Sequence, residues 1–168
     1  MSMKILRKAP LVATLLVAVA LAGCARGPDN DPGTLGAIGA AGQAAAGTTQ
    51  DFVVNVGDRV FFETDSTDLT TQARTTLDRQ AQWLARYPQF AITIEGHADE
   101  RGTREYNIAL GARRATTVRD YLSARGVGSN RIKTISFGKE RPVAVCNDIS
   151  CWSQNRRAVT VLTVGAGS

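Results

Sequence analysis

The chain has 168 residues, of which 43% are hydrophobic, 21% charged and 6% aromatic. That composition fits one domain with an aliphatic core plus an extension, and it excludes a disordered chain or two large domains. The formal net charge is +5, but Lys4, Arg7 and Lys8 fall in an N-terminal leader, leaving 17 basic against 15 acidic side chains beyond it. A surplus of that size gives no argument for nucleic acid as a partner.

Lys4, Arg7 and Lys8 precede an apolar run from Leu11 to Ala20 and then Leu21-Ala22-Gly23-Cys24. A basic start, a short apolar stretch and small residues before a break are the parts of an export signal. The run is shorter than the roughly 20 residues a membrane-crossing helix needs, so residues 1–23 are expected to be removed. Leu21-Ala22-Gly23-Cys24 resembles the bacterial lipobox, which implies acylation of Cys24. Ala25 stands where Asp would signal inner-membrane retention, so sorting to the outer membrane is expected. Residues 24–50 are rich in Gly and Ala and read as a flexible tether. The 25 residues from Arg26 to Gln50, as a random coil, span about 25–30 Å.

The folded domain is expected from Asp51 to the end of the chain. Phe52-Val53-Val54-Asn55-Val56 is β-branched and reads as a strand, with a turn at Gly57-Asp58 and a short continuation over Arg59 to Phe62. Ala73, Leu77, Ala81 and Leu84 recur at helical spacing between Thr71 and Tyr87, where Pro88 stops the helix. A strand over Phe90 to Gly96 follows, then a helix from Arg104 to Arg125 closed by Gly126. Arg131 to Gly138 alternates as a strand with one covered face. A loop from Pro142 to Cys151 leads to a last strand, Arg157 to Val164. The order β-α-β-α-β-β implies an α+β domain, with two main helices packed on one face of a mixed four-stranded sheet.

Cys146 and Cys151 are separated by four residues, and an exported chain permits a disulfide between them. A redox pair more often has two intervening residues. A metal site is disfavoured because His97 is the only histidine and lies far away in sequence. No cofactor is expected.

The most informative anomaly is Arg114. In the second main helix Tyr106, Leu110, Val118, Tyr121 and Leu122 fall in one arc, and Arg114 lies inside it. Either its stem snorkels from the helix edge, or its planar fork meets a carboxylate in a pocket near the helix start. Upstream, Glu95-Gly96-His97-Ala98-Asp99-Glu100-Arg101-Gly102 crowds donors and acceptors at a strand-to-helix junction. Asp99 there accepts either an ammonium group or local backbone amides. Glu95, His97 and Asp99 superficially offer acid-base chemistry to a hydrolase, but no nucleophile with an evident base and no second histidine accompany them. Another alternative is a protein-binding adaptor in which Asp99 and Arg114 form an internal salt bridge.

The segments Gly96 to Thr103, Glu105 to Gly111, Arg113-Arg114-Ala115, Ile135 to Pro142 and Gln154 to Val159 together resemble the OmpA-like peptidoglycan-binding family, in its lipoprotein branch. The resemblance covers nearly all of residues 51–168, and the lipobox and tether match as well. It implies a noncatalytic binder of the peptide stem of peptidoglycan, centred on meso-diaminopimelate, in the periplasm of a Gram-negative bacterium. By the same resemblance Asp99 contacts the ligand ammonium and Arg114 a carboxylate. Asn107, Leu110 and His97 belong to the same site. Phe61, Phe62, Thr64 and Asp65 supply a closing loop, and Asn155 and Arg157 a rim, with Arg156 directed to solvent. The partners implied are peptidoglycan, outer-membrane lipid through the acyl chains, and the Tol–Pal proteins, the β-propeller protein TolB and also TolA. Glu63 and Thr64 depart from the family pattern, which commonly has aspartate and then a carboxylate or small residue. The loop holding Cys146 and Cys151 resembles a subgroup feature.

Overall fold

The computed structural model describes residues 44–164. The expected leader, Cys24 and most of the expected tether lie outside the described residues. Within them the chain runs through α1 (Thr49–Asp51), β1 (Arg59–Phe61), α2 (Thr71–Arg86), β2 (Phe90–His97), α3 (Arg104–Ala124), β3 (Ile132–Gly138), α4 (Ile149–Asn155) and β4 (Arg157–Val164). The sheet order is β1-β4-β2-β3, with β4 antiparallel to both its neighbours and β2 parallel to β3. The expected mixed four-stranded sheet with its main helices on one face is therefore the architecture observed.

Alternation builds the core. Along β2, Phe90, Ile92 and Ile94 turn inward and are at most 8% exposed, while Ala91, Thr93 and Glu95 face the other way. Leu77, Trp83 and Leu84 of α2 and Ala115, Val118 and Leu122 of α3 complete the same apolar cluster. Thr70 caps α2 by accepting from the Ala73 amide at 3.1 Å. Thr103 caps α3 by accepting from the Tyr106 amide at 3.2 Å, so both helices start on threonine hydroxyls. Gly126, with φ of 92°, ends α3 as the sequence predicts, and the Val127 amide returns to the Leu122 carbonyl.

Two expected elements are corrected. Phe52 to Val56 is no strand: Phe52–Gly57 forms a wide helical turn that continues α1. The cause is tertiary anchoring that overrides β-branched propensity. Thr48 caps the Asp51 amide, and the Asp51 carboxylate accepts from Gly47 N, Asn55 Nδ2 and the buried Trp83 Nε1. Phe52 is fully buried against Trp83, with ring centres 5.0 Å apart. The stretch expected to remain loop up to Cys151 already turns helical at Ile149 to form α4, started by the Asp148 carboxylate accepting from Ser150 N at 2.7 Å. Cys146 and Cys151 are joined in the expected disulfide, with Cα atoms 5.6 Å apart.

α3 lies unusually close to β2. A methyl group on Gly96 would sit 1.8 Å from the Gly111 carbonyl oxygen, and one on Gly111 2.8 Å from the Gly96 oxygen. Only hydrogen side chains allow that approach. It brings the chain just beyond β2, which carries Asp99, beside the turn of α3 that carries Arg114.

Candidate functional site

A groove of about 320 Å³ opens where the end of β2, the first turns of α3 and the loop after β1 meet. Thr64 and Asp65 line it from the loop, Asp99, Arg101 and Gly102 from the junction, and Tyr106, Asn107, Leu110 and Arg114 from α3. Tyr106 Oη donates to the Asp65 carboxylate and so bridges two of these walls.

Arg114 is fully buried in the wall of the groove. Its Nε donates to Ser66 O at 3.0 Å, Nη1 to His97 O at 2.9 Å and Nη2 to Glu63 O at 3.2 Å. The Phe62 ring lies under its guanidinium, 5.1 Å from centre to Cζ. The snorkelling alternative is thereby excluded: the guanidinium is inside, satisfied by carbonyls of two segments. Burial, with Arg156 nearby, lowers its pKa to about 10, and it stays cationic at neutral pH. Three of five N–H groups are used, leaving one on each terminal nitrogen.

Asp99 is 7% exposed and does not bond to Arg114. Arg101 grips its two oxygens at 3.1 and 2.7 Å, and Arg156 reaches it at 3.3 Å. Burial raises the Asp99 pKa, but the hydrogen bonds and charge of Arg101, with Arg156, outweigh it and hold the carboxyl below its ordinary value. The adaptor alternative, a direct Asp99–Arg114 salt bridge, is not the observed pairing.

Other expected residues divide. Asn107, Leu110, Thr64 and Asp65 line the groove. Phe61 does not: β1 turns it to the open face of the sheet, 46% exposed, and Phe62 inward at 3%. Asn155 and Arg157 do not line it either. Asn155 is a buried clamp on the 143–144 backbone, and Arg157 is buried and donates to Asn155 O and Arg141 O. Arg156 is corrected most sharply. It is 4% exposed rather than solvent-directed, and it joins Phe62 O to Asp99. Arg101, Gly102 and Tyr106 were given no binding role by sequence. Their signal was adjacency to Asp99 and, for Tyr106, its place one turn before Leu110.

His97 lies outside the groove, 1% exposed and stacked on Phe137. Burial, with Arg157 and Arg141 nearby, lowers its pKa to about 4, and Glu95 at 3.6 Å does not offset this. The unfolded chain, with the ordinary 6.5, therefore binds the proton first on acidification. The stability contributed by the neutral imidazole is complete above 6.5 and is lost progressively as pH falls toward 4. The urea midpoint of the wild type is expected to be lower at about pH 5 than at pH 7, and His97→Gln to narrow that difference.

The model of the OmpA family matches residues 61–156. The peptidoglycan-associated lipoprotein of Agrobacterium fabrum is 64% identical over 167 residues, covering 98% of this chain and 93% of that protein. That of Rhizobium meliloti is 64% identical over 168 residues, covering 99% and 94%. The crystal structure of the peptidoglycan-associated lipoprotein from Burkholderia pseudomallei is similar with a TM-score of 0.62 at 46% identity, covering 63% of this chain and 90% of that one.

Proposed function

Because this chain belongs to the OmpA family, in its peptidoglycan-associated lipoprotein branch, we propose that it is a lipid-anchored outer-membrane protein whose periplasmic domain binds peptidoglycan noncovalently. Residues 1–23 direct export, Cys24 carries the acyl chains, and residues 24–50 span from the membrane to the domain. Several acyl chains hold far more firmly than one, at about 0.8 kcal/mol per buried methylene. The protein is a binder and not an enzyme.

One observation carries this reading: a buried carboxylate and a buried guanidinium line the same open groove. The group recognised is the meso-diaminopimelate of the stem peptide, which presents an ammonium and a carboxylate on one carbon. Its ammonium goes to Asp99 and its carboxylate to the two spare N–H groups of Arg114. Leu110 packs against the methylene stem, and Asn107 holds the rim by donating to Arg101 O and Thr103 O at 2.7 and 3.0 Å. In the envelope the protein works within the Tol–Pal system, with TolB and TolA as partners.

Retention of the detergent-solubilised full chain on protein-free peptidoglycan tests the site. Wild type is expected to sediment with the wall. Asp99→Asn, with its circular dichroism unchanged, is expected to lose about tenfold or more in affinity, the worth of one charged hydrogen bond. Equal retention of the two proteins would reject the pocket, and release of soluble wall fragments would point instead to a hydrolase.

A further inference from the structure

The carboxylate that the proposed reading assigns to the ligand ammonium already holds a cation. Arg101 sits on Asp99 through two parallel hydrogen bonds, although its side chain is 42% exposed and would be free to swing away. It is kept there by Trp152 of α4, whose ring lies 4.2 Å beneath the guanidinium. The indole is itself fixed, because Nε1 donates to Glu100 Oε1 at 3.0 Å. Lys139 Nζ donates to Glu100 O and Gly102 O and secures the backbone on either side of Arg101. Behind Trp152, the disulfide to Cys151 and the Asn155 clamp on Ala144 fasten α4 to its loop. Trp152 thus has a rigid base, while the arginine it supports is a long, half-exposed side chain.

We infer that Trp152 is a positioning residue of the groove: it holds Arg101 on Asp99 as an internal counterpart of the ligand ammonium, so that wall binding proceeds by exchange of one cation for another. This deepens the proposed function and rests on it. Arg156 stays on Asp99 at 3.3 Å while Arg101 leaves, and the incoming ammonium restores the second cation that the buried carboxylate loses. Its consequence is a competition: whatever strengthens the Arg101–Trp152 stack weakens ligand binding. A cation over an aromatic face at a surface site contributes about 0.5–1 kcal/mol, equivalent to about a two- to fivefold change in affinity.

The test uses the detergent-solubilised full chain. Two quantities are measured, the hydrogen exchange of the Arg101 Nε–H by NMR and the Kd for a soluble stem peptide containing meso-diaminopimelate by calorimetry. In Trp152→Ala the Arg101 proton is expected to exchange about two- to fivefold faster and the Kd to fall by a similar factor. Trp152→Phe keeps a ring under the guanidinium and is expected to restore most of both. A role confined to folding predicts weaker binding, not tighter. Unchanged Arg101 exchange in Trp152→Ala, or a Kd that is unchanged or raised, would overturn the inference. If wild type does not bind the peptide at all, the pocket reading fails, and the exchange measurement alone decides whether Trp152 holds Arg101.

Discussion

Replacing Arg114 by alanine is expected to destabilise the domain by about 3–5 kcal/mol, measured by urea unfolding, and to abolish wall retention as a result. The substitution deletes three hydrogen bonds at once, to Glu63 O, Ser66 O and His97 O. It leaves those carbonyls facing a cavity where the guanidinium packed on Phe62. The loop after β1 would then lose its tie to the end of β2, and with it one wall of the groove. Arg114→Lys keeps the charge but cannot reach three carbonyls from one nitrogen with the same planar geometry. Its loss of stability should be intermediate, and its loss of stem-peptide affinity close to that of the alanine variant. A lysine variant that retained full affinity would show that the spare guanidinium N–H groups do not meet the ligand. Asp99→Asn is thus the cleaner probe of binding, because Arg114 supports the fold as well as the site.

The second large effect is expected at Gly96. An alanine methyl there would lie 1.8 Å from a backbone oxygen of α3, which cannot rotate aside as a side chain does. α3 must retreat from β2, at a cost of about 3 kcal/mol or more. A fall in Tm of about 10 °C or more in a thermal scan is the expected reading. Gly111→Ala should be milder. Its methyl would meet Ser136 Oγ at 2.5 Å and the Gly96 oxygen at 2.8 Å, a shallower backbone clash than the one at Gly96, and alanine gains helix propensity over glycine. A small loss in Gly96→Ala would mean that the helix can shift without strain. Because the same contact sets the spacing of Asp99 and Arg114, Gly96→Ala should weaken stem-peptide binding even at temperatures where it remains folded.

The periodic elements were legible in the sequence. Ala73, Leu77, Ala81 and Leu84 announce α2, and the alternation from Phe90 to Ile94 announces β2, because burial of one face imposes the period. What failed has nonlocal causes. The Phe52 to Val56 run has strand composition, yet its conformation is fixed by Asp51 reaching Trp83, 32 residues away. α4 has only seven residues, too few to display a helical period. At the site, Arg114 was recognisable because a charge among apolar neighbours is anomalous on its own helix. Its true partners, three carbonyls on distant segments, leave no mark in side-chain chemistry. Arg156 and Asn155 were misplaced for a related reason. They precede β4, where no alternation yet constrains direction, and one reaches Phe62 O while the other reaches Ala144 O. Phe61 and Phe62 look equivalent in sequence, and only strand pairing with β4 decides which of them faces inward.

The helical start of the domain bears on how it carries tension. A pull on the chain from its N-terminal side reaches Asp51 first, where Trp83, Asn55 and Gly47 hold the carboxylate. Next in line are buried Phe52 and the Gln80 amide donating to Gly57 O at 2.7 Å. Only after these does the load arrive at β1. A strand at this place would have passed the force straight into the sheet as shear across all its rungs. A helical turn instead peels, giving way one anchor at a time and lengthening the line while the sheet behind it stays closed. The domain therefore has a yielding lead on its N-terminal side.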